Sequence, residues 1–362
     1  MAAVRYTPDV ETVDAEEPRI QAELVETFRS IIETTNRDYG HAFRSVHAKS
    51  HALLEGEMDV LTGLPEELAQ GLFATPRSYR VLVRISTNAG DPLPDSISLQ
   101  RGMAIKVLDV DGQRLPGSEE DSTQDFVLAN GVAFPVPGPK AFLANLKMLA
   151  ATTDKAEWAK KAISAAFRTT EKALEAMGGL SAKLMQLGGY PNSHPLGERY
   201  FSQVPIRYGD HIAKIAVIPL SPGFKALEGV EIDIAGREDA LREEVNRTLA
   251  EQGGEWEVRV QLCRDLERNP VEDASVAWPE DDNPYVAVAT IRVPSQSGWN
   301  WNRANVLDDR TAFSPWHGIE AHRPLGALMR ARKPAYDASR DLRSRLNGCP
   351  IHEPHATDRL PA

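Results

Sequence analysis

The sequence predicts an α+β fold: an eight-stranded antiparallel β-barrel with a helical insert and C-terminal helices. Three observations predict it. Two groups of about four segments alternate apolar and polar residues with the strand period of two. A long block of helical period, 139–188, separates the groups. Within the first group, turn-rich segments such as NAGDPLPDS and DVDGQRLPGS join successive strands, which suggests a meander. Eight antiparallel strands remove their exposed edges most naturally by closing into a barrel.

The totals agree with that size. A chain of 362 residues, 42% of them hydrophobic, can bury one large core or two average ones. No flexible linker or short repeat divides it, so 1–362 is read as a single domain. The formal net charge of −11 argues against a general nucleic-acid binder, which needs a basic surface to neutralise phosphates. Two cysteines, Cys263 and Cys349, cannot make a disulfide framework, which points to a reducing compartment. The N-terminal stretch has no apolar signal region and no apolar run is long enough to span a bilayer. The expectation is a soluble, cytoplasmic protein with no integral membrane segment.

Residues 1–18 read as loose and acidic. From 19 to 36, Ile20, Leu24, Val25, Phe28, Ile31 and Ile32 recur at helical spacing. FRSVHAKSHALLEG (43–56) reads as a half-buried strand, yet it carries Arg44, His47, Lys49 and His51 where burial of charge is costly. A short helix is expected at 64–74, opened by Pro65 with Glu66 and Glu67 in its first turn. SYRVLVRIST (78–87), QRGMAIKVLDV (100–110) and QDFVLAN (124–130) complete the first strand group. In the helical insert, Phe142, Leu143 and Leu146 open the apolar series. YFSQVPIRYG, HIAKIAVIPL, EWEVRVQLCRD and VAVATIRVP form the second group. Residues 298–346 read as an extended wrapping segment followed by a helix, interrupted at Pro334 and closed by Asn347-Gly348; 349–362 is a mobile tail.

That last helix is unusual for an acidic protein. It sets Arg330, Arg332, Lys333, Arg340, Arg343 and Arg345 against only Asp337 and Asp341, around the lone Tyr336. Arg332 lies four residues before the tyrosine and Arg343 seven after it, so a continuous helix puts all three on one face. A guanidinium within hydrogen-bonding reach favours the phenolate, and an arginine-held tyrosinate is a competent ligand for ferric iron. A solvated basic face with a packing tyrosine is the alternative, and a break at Pro334 would move Arg332 off the shared face. Other constellations are weaker. His47 and His51 are spaced as metal ligands on a helix, but the segment reads as a strand and lacks a third ligand. The tail Cys349–His355 offers donors on a Pro-containing terminus. The sequence lacks a phosphate loop in strand–turn–helix context and a nucleophile elbow. Trp278, Trp299, Trp301 and Trp316 read as core or wrapping-segment anchors.

Taken in order, several segments resemble the haem catalase superfamily, especially its short members without the long N-terminal arm and flavodoxin-like C-terminal domain. RSVHAK (44–49) is similar to the segment with the distal histidine, VRIST (83–87) to the strand whose arginine reaches a haem propionate, and RGMAIK (101–106) to the RGxAxK strand. Thr123–Phe134 resembles the segment with haem-facing aromatics, and RKPAY (332–336) with Arg343 matches the proximal R-x-x-x-Y and its downstream arginine. The resemblance implies haem b, with Tyr336 as the iron ligand and Arg332 beside it. It implies His47 as the acid–base group, steadied by Ser86, and Arg44, Arg84 and Arg343 towards the propionates. Phe126 and Phe134 face the haem in that scheme, and Val46 stands where valine rather than threonine marks catalases. Asp121 aligns with the family's distal asparagine, and Val127 with a second phenylalanine; both are departures. The implied activity is breakdown of hydrogen peroxide or small organic hydroperoxides through a ferryl species. Two alternatives stay open: transformation of lipid hydroperoxides, as in the allene oxide synthase branch, and haem binding without turnover. Partners are then the peroxide and, among the forms considered, a homo-oligomer.

Overall fold

Among the described residues nine strands follow the period-two segments of the sequence. The computed structural model describes residues 1–150 and 190–362. The strands are β1 (Ser50–Val60), β2 (Ser78–Thr87), β3 (Arg101–Val107), β4 (Gln124–Ala129), β5 (Tyr200–Phe201), β6 (Ile206–Tyr208), β7 (His211–Pro219), β8 (Gly254–Leu262) and β9 (Val286–Val293). The sheet runs β5-β4-β3-β2-β1-β9-β8-β7, and pairing of β5 with β7 (Tyr200 opposite Val217) closes it into an eight-stranded antiparallel barrel. Strand β6 is a hairpin extension of β7 that turns at Gly209, whose φ of +60° suits a residue without a Cβ. Inward-facing Leu54, Val83, Ile85, Ile105, Phe126, Ile215, Val258 and Ile291 fill the barrel.

Among the described residues four longer helices lie against it: α1 (Glu17–Tyr39), α2 (Pro139–Ala150), α3 (Ala240–Glu251) and α4 (Ala327–Leu346). Helix α1 ends at Gly40 in the left-handed conformation. Its apolar stripe, Ile20, Leu24, Phe28 and Ile31, packs on Ala331 and Ala335 of α4 and on Leu143 and Leu146 of α2. Among the described residues no helix is long and apolar enough to cross a membrane.

The structure departs from the sequence expectations at definable places. Strand β1 starts at Ser50, so 43–49 is not strand, and His47 there has φ of +56°. The 64–74 segment forms turns and one 3₁₀ turn, Gly71–Phe73, instead of a helix. YFSQVPIRYG is split into β5 and β6 by Gln203, whose φ of +63° breaks the ladder. Helix α3 had no sequence expectation. Helix α4 runs through Pro334 without a break. Of the expected 139–188 insert, α2 is its described part; the remainder lies outside the described residues.

Both ends of the chain are tied down. Val4 and Tyr6 donate backbone bonds to Cys263 and Asp210, and Glu11 and Glu17 grip Arg330 of α4. The tail expected to be mobile lies along the barrel. Its Glu353 pairs with buried Lys106 at 2.6 Å, and the Leu360 amide donates to Glu55 at 3.0 Å.

Candidate functional site

Outward-facing residues of three neighbouring strands form one wall of a cavity outside the barrel. Arg84 pairs across the sheet with Ala104, which pairs with Val127; Ser86 pairs with Gly102. Alternation turns this set away from the core while Val83, Ile85, Ile105 and Phe126 point inward. Helix α4 forms the facing wall with Ala335, Tyr336, Ser339, Arg340 and Arg343. The space between them, open solvent at its mouth included, is about 720 Å³.

His47 enters this cavity from the chain before β1. A left-handed backbone is uncommon for histidine, and the Ala48 amide, bonded to the Ala89 carbonyl at 2.8 Å, pins the chain just after it. The ring nitrogen Nδ1 is 3.1 Å from the Ser86 hydroxyl. Gly102 makes room for the ring: a Cβ there would come within 2.6 Å of Cε1 of His47. Burial, reinforced by Arg84, Arg332 and Arg44, pushes the His47 pKa down to about 3, so the imidazole is neutral at neutral pH.

One rim holds three arginines, Arg84 and Arg343 buried and Arg44 half-buried, around a single carboxylate. Arg44 and Arg84 reach Oδ1 of Asp308 at 3.2 Å and 2.6 Å, Ser50 donates to its Oδ2, and Arg343 donates to its carbonyl at 2.9 Å. Burial opposes ionisation of Asp308, but Arg84 and Arg44 outweigh it and hold its pKa below the ordinary carboxylate value. The arginines remain in excess. Burial and mutual repulsion push Arg44 well below the usual guanidinium value and Arg343 to about 10, and the buried Nε of Arg343 has no partner. A rim of this kind has capacity for an added anion.

Across the cavity, Nη2 of Arg332 donates to the Tyr336 hydroxyl at 2.6 Å, with the guanidinium 5.2 Å from the ring centroid. A phenol held by a guanidinium, an imidazole, small apolar wall residues and an anion-accepting rim are together a donor set that fits a haem with a tyrosine ligand. Among the described residues no group of three or more His, Cys, Asp or Glu side chains is placed to hold a metal ion.

Arg44, Val46, His47, Arg84, Ser86, Tyr336 and Arg343 all line this cavity, and Arg332 bonds to its tyrosine. Three predicted site residues do not. Asp121 bonds to Nε2 of His317 at 2.8 Å in a loop outside the cavity. An ungapped alignment carried through that loop has no strand register to support it. Phe126 points into the barrel, stacked on Phe73 with centroids 6.3 Å apart, and its outward-facing neighbour Val127 takes the place at the cavity. Strand parity alone carries that correction. Phe134 packs on Phe142, in a cluster with Val204, Leu328 and Met329. Sequence reasoning missed Asp308, Phe28, Phe313, Ser339 and Arg340. The signal for Asp308 was present: Asp308 and Asp309 are the only acids in 298–318, and buried arginines need a counter-charge.

No family model matches the sequence, and no curated protein does. Solved structures do. A crystal structure of a fungal catalase superposes with a TM-score of 0.58 at 18% identity, covering 86% of this chain and 63% of its own. Catalase A from Saccharomyces cerevisiae superposes with a TM-score of 0.58 at 17% identity, covering 90% of this chain and 68% of its own. The fold is catalase-like. At such identity the likeness extends to the architecture, and the chain spans under two thirds of the first neighbour's length. The catalase-like barrel and its terminal helix supply the two walls between which His47 and Tyr336 meet.

Proposed function

We propose that the chain binds a b-type haem in this cavity, with Tyr336 as iron ligand, and cleaves the O–O bond of hydrogen peroxide or a small organic hydroperoxide. The observation that carries the reading is that His47 and the arginine-held Tyr336 line one cavity with a rim of three arginines. Bound iron porphyrin would supply the redox equivalents for cleavage.

The chain's own residues divide the remaining work. Arg332 stabilises negative charge on the Tyr336 oxygen. Arg44, Arg84 and the unpartnered Nε of Arg343 receive the anionic propionates. His47, neutral and steadied at Nδ1 by Ser86, takes the proton of the bound peroxide at Nε2 and returns it to the departing oxygen. Ala104, Val127 and Phe313 present apolar surface to the bound group and limit water.

One observation favours a second reading of the substrate. Among the described residues lining the cavity there is no asparagine or glutamine, so no side-chain amide orients a small peroxide beside His47. A bulkier lipid hydroperoxide, held by its apolar chain, depends less on such a donor. Absorption spectra of the protein titrated with hemin, with oxygen recorded after peroxide addition, test both readings. Oxygen evolution supports disproportionation, and lipid hydroperoxide consumption without oxygen supports the second. A chain that takes up no hemin ends the proposal.

A further inference from the structure

A second, wider groove adjoins the haem cavity and shares Arg44 and Arg343 with it as a common wall. Open solvent at its mouth included, it spans about 2310 Å³. Its sides are aromatic: Tyr39 and Phe43 meet edge-on with centroids 5.7 Å apart, and Trp299 and Trp301 do so at 5.0 Å. Trp301 is 79% exposed and Tyr39 53% exposed, although both line the groove. Two large aromatic rings left in solvent at the mouth of a cavity are unusual unless something stacks on them.

Charge defines what that ligand is. Four of the basic side chains lining the groove are already engaged. Lys49 pairs with Asp95 at 2.8 Å and Asp239 at 2.9 Å, and Arg242 lies 3.6 Å from the centroid of Trp299 and 3.3 Å from Asp239. Arg44 is held by Asp308, and His41 pairs with Asp309 at 2.9 Å. Among the lining cations only the Nε of Arg343, on the wall shared with the haem cavity, is unpartnered, so an anionic ligand in the groove finds little free positive charge. Exposed Glu238 at the rim, and Asp38 beside its ion-pair partner Arg37 at 3.3 Å, instead offer acceptors for hydroxyl donors. Flat aromatic walls with oxygen acceptors at the edge suit a neutral aromatic alcohol.

We infer that this groove binds a neutral hydroquinone, placed one arginine layer from the haem cavity as the reductant for peroxide cleavage. The inference rests on the haem reading for the fate of the electrons, while the binding itself does not. A hydroquinone gives up two electrons and two protons and leaves as the quinone. The peroxide O–O bond breaks, one oxygen leaving as water and the other remaining as the alcohol, or as a second water from hydrogen peroxide. An open groove holds such a donor weakly, as a diffusible reductant requires.

Anaerobic equilibrium dialysis of hydroquinone against the full chain tests the site without haem. Trp301→Ala, at an exposed position that leaves the barrel intact, is expected to weaken binding by at least about fivefold, the scale of one lost aromatic contact. Tyr39→Ala should act in the same direction, and Val286→Ala, exposed on β9 outside the groove, should not. In haem-loaded protein the KM for hydroquinone should rise in the same proportion while the KM for peroxide stays unchanged. Equal affinity of wild type and Trp301→Ala overturns the inference. A chain that binds hydroquinone in a Trp301-dependent way but retains no haem supports the groove and overturns only the haem reading.

Discussion

The Arg332 guanidinium donates to the Tyr336 hydroxyl at 2.6 Å from one turn earlier on the same helix. A charge-assisted bond of this type contributes about 1.5–3 kcal/mol. The Arg332→Leu variant should keep the phenol and lose its partner, weakening hemin affinity by at least about tenfold. Tyr336→Phe removes the oxygen altogether and should give protein that purifies without haem or with shifted Soret and charge-transfer bands. An unchanged spectrum and haem content in Tyr336→Phe would mean that iron is held elsewhere.

His47 and Gly102 form a second coupled pair. His47→Ala should retain haem and slow the first reaction with peroxide by at least about 100-fold, the low end for a positioned acid–base group. Gly102→Ala leaves the imidazole in place chemically but drives a methyl to within 2.6 Å of its ring, and backbone at the Leu128 carbonyl, 3.2 Å away, limits escape. The ring has to tilt off Ser86. Its reaction with peroxide should slow by about tenfold, with haem content preserved, in stopped-flow absorbance. A Gly102→Ala enzyme as fast as wild type would show that the position of the ring is not critical.

Asp121 supplies a test of where the alignment ends. Because its carboxylate is bonded to His317 outside the cavity, Asp121→Asn should change neither haem content nor the peroxide rate by more than about twofold. An increase in oxygen evolution of an order of magnitude would put this side chain beside the iron after all. Measured together with His47→Ala, the variant separates the cavity from the loop.

What the sequence revealed follows from which signals are periodic. Strands β2, β3 and β4 were legible because Val83, Ile85, Ile105 and Phe126 alternate with polar or small residues, and the same alternation, applied strictly, puts Val127 rather than Phe126 at the cavity. Tyr336, Arg332 and Arg343 were legible because helical spacing groups them, and α4 tolerates Pro334 while α1 and α2 pack along it. Asp308 left a charge signal in the sequence but no periodic one. It comes from a π-helical turn, Asn305–Asp309, whose contacts with Arg44 and Arg84 span more than two hundred residues and leave no periodic trace. The left-handed His47 was hidden for a related reason, since tertiary contacts through Ala89 and Ser86 impose a backbone that local preference disfavours.

Buried neutral histidines also make a prediction about acid. Burial is the leading cause that lowers the pKa of His47 and His322 to about 3 and that of His194 to about 4. In the unfolded chain each binds a proton near the ordinary value of about 6.5, while the native protein does not. Stability is therefore complete above that pH and falls as the solution is acidified towards the native values, by about 1.4 kcal/mol per pH unit for each histidine. From pH 7 to pH 5 this amounts to about 2 kcal/mol apiece. Carboxylates such as Glu353, held at about 2 by Lys106 and His317 against the effect of burial, add their loss only at lower pH. His322→Gln isolates one contribution: the amide oxygen can still accept the Leu72 N–H, which His322 Nε2 accepts at 3.0 Å, but it cannot titrate. Urea unfolding of that variant should show the stability difference between pH 7 and pH 5 reduced by about 2 kcal/mol relative to wild type. An undiminished difference would mean that His322 is already protonated inside the barrel, which its enclosure by Phe73, Phe126 and Tyr208 opposes.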